Sequence, residues 1–219
     1  MTAIEIQSIG PAPERHANRV VAEMLRDLAR KRAQIEVAVS AAVDNSKDGN
    51  PRAQAKMAER MRRAGAEHVS LTPGKRGKYT IQIWQWVGWD AGRDREIGID
   101  SPIPEKPWLA FRVLHIETKG RGRGFADIAE APILLISHHA LSRAAQRFGM
   151  RTNDHMLAAA RRILDATADR INVRDWTPPP PQGLRVPLDT ADNAIVVLKQ
   201  HESRERTLIA ATVFSSEDA

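Results

Sequence analysis

Cysteine is absent from this chain, and its absence removes disulfide cross-links, thiolate-ligated zinc and thiol nucleophiles together. Aromatic residues are scarce, at 5% with a single tyrosine, so a core has to be built mainly from aliphatic side chains. No apolar run approaches the ~20 residues that a bilayer-crossing helix needs, which argues against a membrane partner. Met1 to Gly10 carry no basic segment followed by an apolar one, the mark of a secretory signal. A cytoplasmic protein is the expectation from these absences. Also missing are a G-x-S-x-G nucleophile elbow, a G-x-x-x-x-G-K-[ST] phosphate loop and a paired-carboxylate site.

What is present describes a folded protein. The 219 residues are 42% hydrophobic and 27% charged, a balance that supports a packed core rather than disorder. The formal charge is +6, and the isoelectric point of about 10.0 favours an anionic partner such as nucleic acid. Much of the surplus lies in the first 66 residues, where basic side chains outnumber acids by 12 to 8.

Pro11 and Pro13 precede a stretch from about Glu14 to Val43 in which Val20, Val21, Met24, Leu28, Ile35 and Val39 recur at helical spacing. Asp44 to Pro51 supplies turn residues. A second helix is expected from Pro51 to about Ala64, opened by proline and stopped near Gly65. Residues 1–66 thus read as an N-terminal helical hairpin, a surface open to a protein partner, and residues 67–219 as an α+β core, separate from the hairpin or continuous with it. In that core Tyr79–Val87, Trp108–Thr118 and a short piece within Arg95–Asp100 alternate as strands of an antiparallel sheet. Ile133–Ile136 is a buried apolar run. Two central helices follow, then Trp176–Gly183 with its four consecutive prolines, a stiff extended connector. Leu184–Leu188, Ala194–His201 and Thr207–Phe214 are spaced for a three-stranded meander.

The stretch richest in chemistry is Ser137 to Arg147, S-H-H-A-L-S-R-A-A-Q-R. Ser137 suits an N-cap, and Ile136 with Leu141 has the spacing of a hydrophobic staple. At 100° per residue Leu141, Ala144, Ala145 and Phe148 share one side, while His139, Ser142, Arg143, Gln146 and Arg147 share the other. An imidazole at a helix start, followed by guanidiniums at successive turns, is suited to holding a phosphate and moving a proton. A solvated helix face has the same composition, and the residues by themselves leave both readings open.

The string H-A-L-S-R-A-A-Q-R-F-G, followed by a helix and a meander ending A-A-T-V-F, resembles the metal-independent ribonuclease toxins of the RelE/colicin-type superfamily. The resemblance covers about Ser137 to Phe214. It implies helices packed on an antiparallel sheet, and cleavage of RNA through its 2′-hydroxyl by histidine, arginine and a hydroxyl on a late strand. Carried over to this chain, it implies His139 as the acid–base residue, Arg143 and Arg147 as phosphate contacts and Thr212 as a substrate-orienting hydroxyl. The proline run between helices and sheet departs from the family pattern, as does the long N-terminal part.

Two further features point to nucleic acid. Gly74–Lys78 and Lys119–Gly124 are basic and glycine-rich, placing Lys75, Arg76, Lys78, Arg121 and Arg123 where they can follow a phosphate backbone. Trp84 and Trp86 share one strand face and are candidates for stacking on unpaired bases, although tryptophans on one face also suit packing under a helix. His138, His139, Asp154 and His155 lack the H-E-x-x-H arrangement, so no metal and no cofactor is expected. The expectation is an α+β protein that binds RNA or other nucleic acid, with metal-independent endoribonuclease activity. The alternative is a non-catalytic nucleic-acid-binding or assembly protein, of a prophage or mobile element.

Overall fold

Among the described residues, a computed structural model contains four helices and an eight-stranded mixed sheet, an α+β fold. The structure describes residues 14–45, 51–74, 79–118, 125–147, 152–171, 177–188 and 194–215. In chain order the elements are α1 (Glu14–Asn45), α2 (Pro51–Arg63), β1 (His68–Pro73), β2 (Tyr79–Asp90), β3 (Arg95–Glu96), β4 (Trp108–Thr118), β5 (Phe125–Ile136), α3 (His138–Arg147), α4 (Asn153–Ile171), β6 (Leu184–Pro187), β7 (Ala194–Gln200) and β8 (Leu208–Ser215). Neighbouring strands follow the order β1-β2-β4-β5-β8-β7-β6, with β3 paired to β2. No described helix is long and apolar enough to cross a membrane.

The chain forms two compact units, one of residues 1–25, 104–108 and 134–219, the other of 26–103 and 109–133. In the second unit, Ile35 and Val39 of α1 and Ala58 and Met61 of α2 bury against Val69, Ile81, Ile83, Leu114 and Ile116 of β1, β2 and β4. The end of α2 is fixed by backbone geometry. Gly65 adopts φ +105°, its N–H donates to Arg62 O at 3.0 Å, and the Ala66 N–H donates to Met61 O at 3.1 Å. These are the two bonds of a Schellman cap, and Ala66 meets Met61 in the core as that motif prefers. Beyond it β1 pairs antiparallel with β2, from His68 opposite Trp84 to Pro73 opposite Tyr79.

A buried charge cluster sits in the same unit. Arg112 is only 2% exposed. Its Nη1 pairs with Glu96 Oε1. The Gln85 amide, oriented by the same network, accepts from Arg112 Nε at 2.9 Å and also from Nη2. Arg32 of α1 completes the cluster as an ion-pair partner, its Nε close to Glu96 Oε2 and its Nη2 2.9 Å from Glu36 Oε1.

In the other unit β8 runs parallel to β5, with Leu134 opposite Leu208 and Ile136 opposite Ala210. β6, β7 and β8 pair antiparallel in turn. The sheet is therefore mixed and not antiparallel throughout, as the strand patterns alone suggest. The chain leaves β5 through α3 and α4, and β8 returns alongside β5 in the same direction. Buried residues of β7 (Val196, Leu198) and β8 (Leu208, Ala210, Val213), of α3 (Ala140, Leu141, Ala144, Ala145) and of α4 (Met156, Leu157, Ala160, Ile163) provide the apolar interior. α3 packs on β8 and on α4, and α4 packs on β6. Gly183 leads into β6 at φ +91°, and a Cβ there would lie 2.6 Å from Val197 Cγ1, so both conformation and space require glycine.

Removing one member of the buried cluster strands the others. Arg112→Ala is expected to destabilise the protein by about 3–5 kcal/mol, because it leaves a buried carboxylate without its main partner. Arg63→Ala, which removes an exposed pair with Glu59, is expected to stay within about 0.5 kcal/mol. Urea unfolding of both variants checks the contrast.

Candidate functional site

Each unit carries a candidate surface. In the first, the corner from β5 into α3 is tied to β8. The Ser137 N–H donates to Ala210 O at 3.0 Å, and the Ser137 hydroxyl donates to Ala211 O at 2.7 Å. The same hydroxyl accepts from the Ala140 N–H at 3.1 Å, the N-cap bond to the third helical residue. Ala211 can serve here because β8 bulges at that point: Thr212 lies opposite Val197 and Ala210 opposite Leu198, leaving Ala211 without a cross-strand partner. The first turn of α3 is thus held on a strand that is not its sequence neighbour.

On this helix His139, in the fixed first turn, and Arg143, one helical turn further on the same side, are exposed. His138 is half-buried, and its Nε2 lies 3.4 Å from the Ser142 hydroxyl. Arg147 closes the helix, and its side chain lies outside the described residues. Thr212 is half-exposed and points from the face of β8 opposite Val213, in a row with Val197 and Arg185. His139 and Arg143 are therefore brought together, while Thr212 faces away from the helix-covered side of the sheet. Among the described residues no group of three or more His, Cys, Asp or Glu side chains is gathered for a metal ion.

The second surface is one face of the sheet formed by β1, β2 and β4. Gln82 Nε2 lies 3.4 Å from His115 Nδ1, Gln85 bonds Arg112, and the Trp86 and Phe111 rings pack with centroids 4.7 Å apart. These partners run in opposite senses along β2 and β4, as an antiparallel pair requires. Alternation then puts Ile81, Ile83 and Gln85 on the side covered by α1 and α2, and Thr80, Gln82 and Trp84 on the other. That other side is open over His68, Ser70, Thr72, Gln82, Trp84, His115 and Glu117, which are half-buried or exposed. A row of polar side chains lies on it: the Ser70 hydroxyl donates to Gln82 Oε1 at 3.4 Å, Gln82 reaches His115, and His115 Nε2 lies 3.7 Å from Glu117 Oε1, beyond hydrogen-bond distance. The His68 and Trp84 rings lie 5.1 Å apart at 59°.

The two candidate tryptophans consequently differ. Trp84 remains accessible beside His68, whereas Trp86 is 3% exposed and packed on Phe111, which leaves its ring closed to a base. Lys75, Arg76, Lys78, Arg121 and Arg123 lie outside the described residues. The strand ends that bear them are described. Pro73 is opposite Tyr79, and three residues on from the Gln82–His115 contact Tyr79 comes level with Thr118. Both basic segments therefore leave the same end of this sheet.

His68, Ser70, Gln82 and His115 escape the strand-by-strand reading. The alternation of Val69 and Leu71 with His68, Ser70 and Thr72 is the signal that reveals the first two, but it is short and ends in proline. Compared with protein-family models, with curated proteins and with solved structures, the chain matches none.

Ser137→Ala is expected to lower stability by about 1–2 kcal/mol, as loss of an N-cap does, and to speed hydrogen exchange at the Ala140 amide. Unfolding and amide exchange measured on the same sample check both.

Proposed function

We propose that this protein binds nucleic acid through the open sheet face of β1, β2 and β4. The observation that carries the reading is the joining, on one face, of an accessible tryptophan with a strand end from which both basic glycine-rich segments emerge. Trp84, flanked by His68, offers a π-surface to an unpaired base. Ser70, Gln82 and His115 offer neutral hydrogen-bonding groups beside it. Lys75, Arg76, Lys78, Arg121 and Arg123 supply positive charge for phosphates. Neither a metal nor a cofactor is needed for such binding.

A second reading adds cleavage. It is favoured by His139 and Arg143, an imidazole and a guanidinium exposed one turn apart on a helix whose start is fixed by Ser137. In that reading His139 transfers a proton and Arg143, with Arg147, holds the phosphate. Thr212 takes no part in it, because it faces the other side of β8.

Binding is tested by the fluorescence of the protein on titration with a single-stranded oligonucleotide. Trp84→Ala is expected to weaken binding by about 1–3 kcal/mol, the loss of one stacked base, and affinity is expected to fall steeply as salt is raised. Absence of binding at low salt overturns the reading. Cleavage is tested with total RNA and excess EDTA: wild type is expected to cut and His139→Ala to leave RNA intact while folding normally. Equal cutting by both removes His139 from the chemistry.

A further inference from the structure

The segment from Thr177 to Gln182, T-P-P-P-P-Q, is described and lies at the surface. Each residue from Thr177 to Pro180 precedes a proline, and the clash with the following ring forces all four into extended backbone. Proline fixes φ near −65°, so Thr177 to Pro180 favour the left-handed polyproline II conformation, with three residues per turn, up to the turn at Pro181 and Gln182. Such a helix is a three-sided prism, and residues three apart share an edge.

The exposure pattern shows how the prism sits. Thr177, Pro178, Pro180 and Pro181 are exposed, and Pro179 alone in the run is half-buried. One edge, at Pro179, is therefore turned to the protein. The other two, Thr177 with Pro180 and Pro178 with Pro181, are turned to solvent, with Pro178 and Pro181 about 9 Å apart along the axis. A turn then stops the helix. The Gly183 N–H donates to Pro180 O at 2.8 Å, and Gly183 takes the positive φ that permits the bend. Immediately beyond, exposed Arg185 is held over the Phe214 ring, 5.4 Å from its centroid.

We propose that this segment is a docking ligand for a second protein, one whose aromatic-lined groove reads the two exposed proline ridges. The ridges present rigid apolar rings with little ordering entropy left to lose on binding. The adjacent Arg185 favours a partner whose groove carries acidic side chains at its rim. The inference is independent of the nucleic-acid reading, since it uses no residue of the open sheet face or of α3.

The test uses the full-length protein labelled with ¹⁵N and three isolated polyproline-reading domains as probes, of the SH3, WW and EVH1 types. Proline gives no amide signal, so the amides of Thr177 and of Gln182 to Arg185 report. At least one probe is expected to shift those signals selectively, with micromolar affinity. The Pro178→Ala, Pro181→Ala double variant is expected to weaken that binding at least tenfold while melting at the wild-type temperature. Pro179→Ala, on the inward edge, is expected to weaken it far less. No shift of these amides with any probe at millimolar concentration overturns the proposal and leaves the run as a spacer. So does binding that survives the double variant, or binding for which Pro179 matters most.

Discussion

A guanidinium held out of water organises the unit built on β1, β2 and β4. Arginine does not shed its proton, so Arg112, buried in β4, requires a partner that is buried with it. Glu96 supplies that charge, and it does so from a strand of two residues whose pairing with β2 extends only over Trp89–Glu96 and Asp90–Arg95. The turn that returns Glu96 to the sheet is itself shaped by a carboxylate: Asp90 Oδ1 accepts from the Gly92 N–H at 3.1 Å and the Arg93 N–H at 3.3 Å. Asp94 then takes φ +48°. Gln85 satisfies the other side of the guanidinium and Arg32 brings α1 to the same carboxylate. Four elements thus converge on one charge that none of them can leave unpaired.

The sequence announces the parts of this fold that depend on local chemistry. The helix over Ser137–Arg147 is legible because its cap, staple and apolar stripe agree, and Ser137 indeed donates and accepts as a cap does. The stop at Gly65 and the apolar periodicity of α1 are legible for the same reason. What is not legible depends on who the neighbours are. Arg112 looks like any polar residue of an alternating strand until Glu96 and Gln85 are seen beside it. The parallel pairing of β8 with β5 leaves no local trace. That β5 begins at Phe125, well before its obvious Ile133–Ile136 core, is not legible either, because the earlier residues lack apolar alternation. Among candidate site residues, His139 and Arg143 fall together as helical spacing dictates. Trp84 and Trp86 share a strand face as expected and still part company, since burial changes along that face.

The edges of the strand order tell the same story from the negative side. β1 ends one side of it, and the carbonyl of Val69 is taken by Arg62 Nη2 at 3.2 Å. β6 ends the other, with four residues and a terminal proline that has no N–H to offer. Both edges are blunted against pairing with a further strand. Backbone pairing at either end of the strand order is thereby disfavoured.

Gly183 sets a limit of another kind. It stands where the proline run becomes β6, with no room for a side chain and a backbone angle that other residues resist. β6 pairs through Arg185 opposite Val197 and Val186 opposite Val196. One residue gained or lost between Gly183 and Arg185 would move β6 by a single step against β7 and exchange its faces, turning a cation inward and a valine out. The phase of β6 is therefore set by its distance from the glycine, a count of residues that no substitution within the strand can reset.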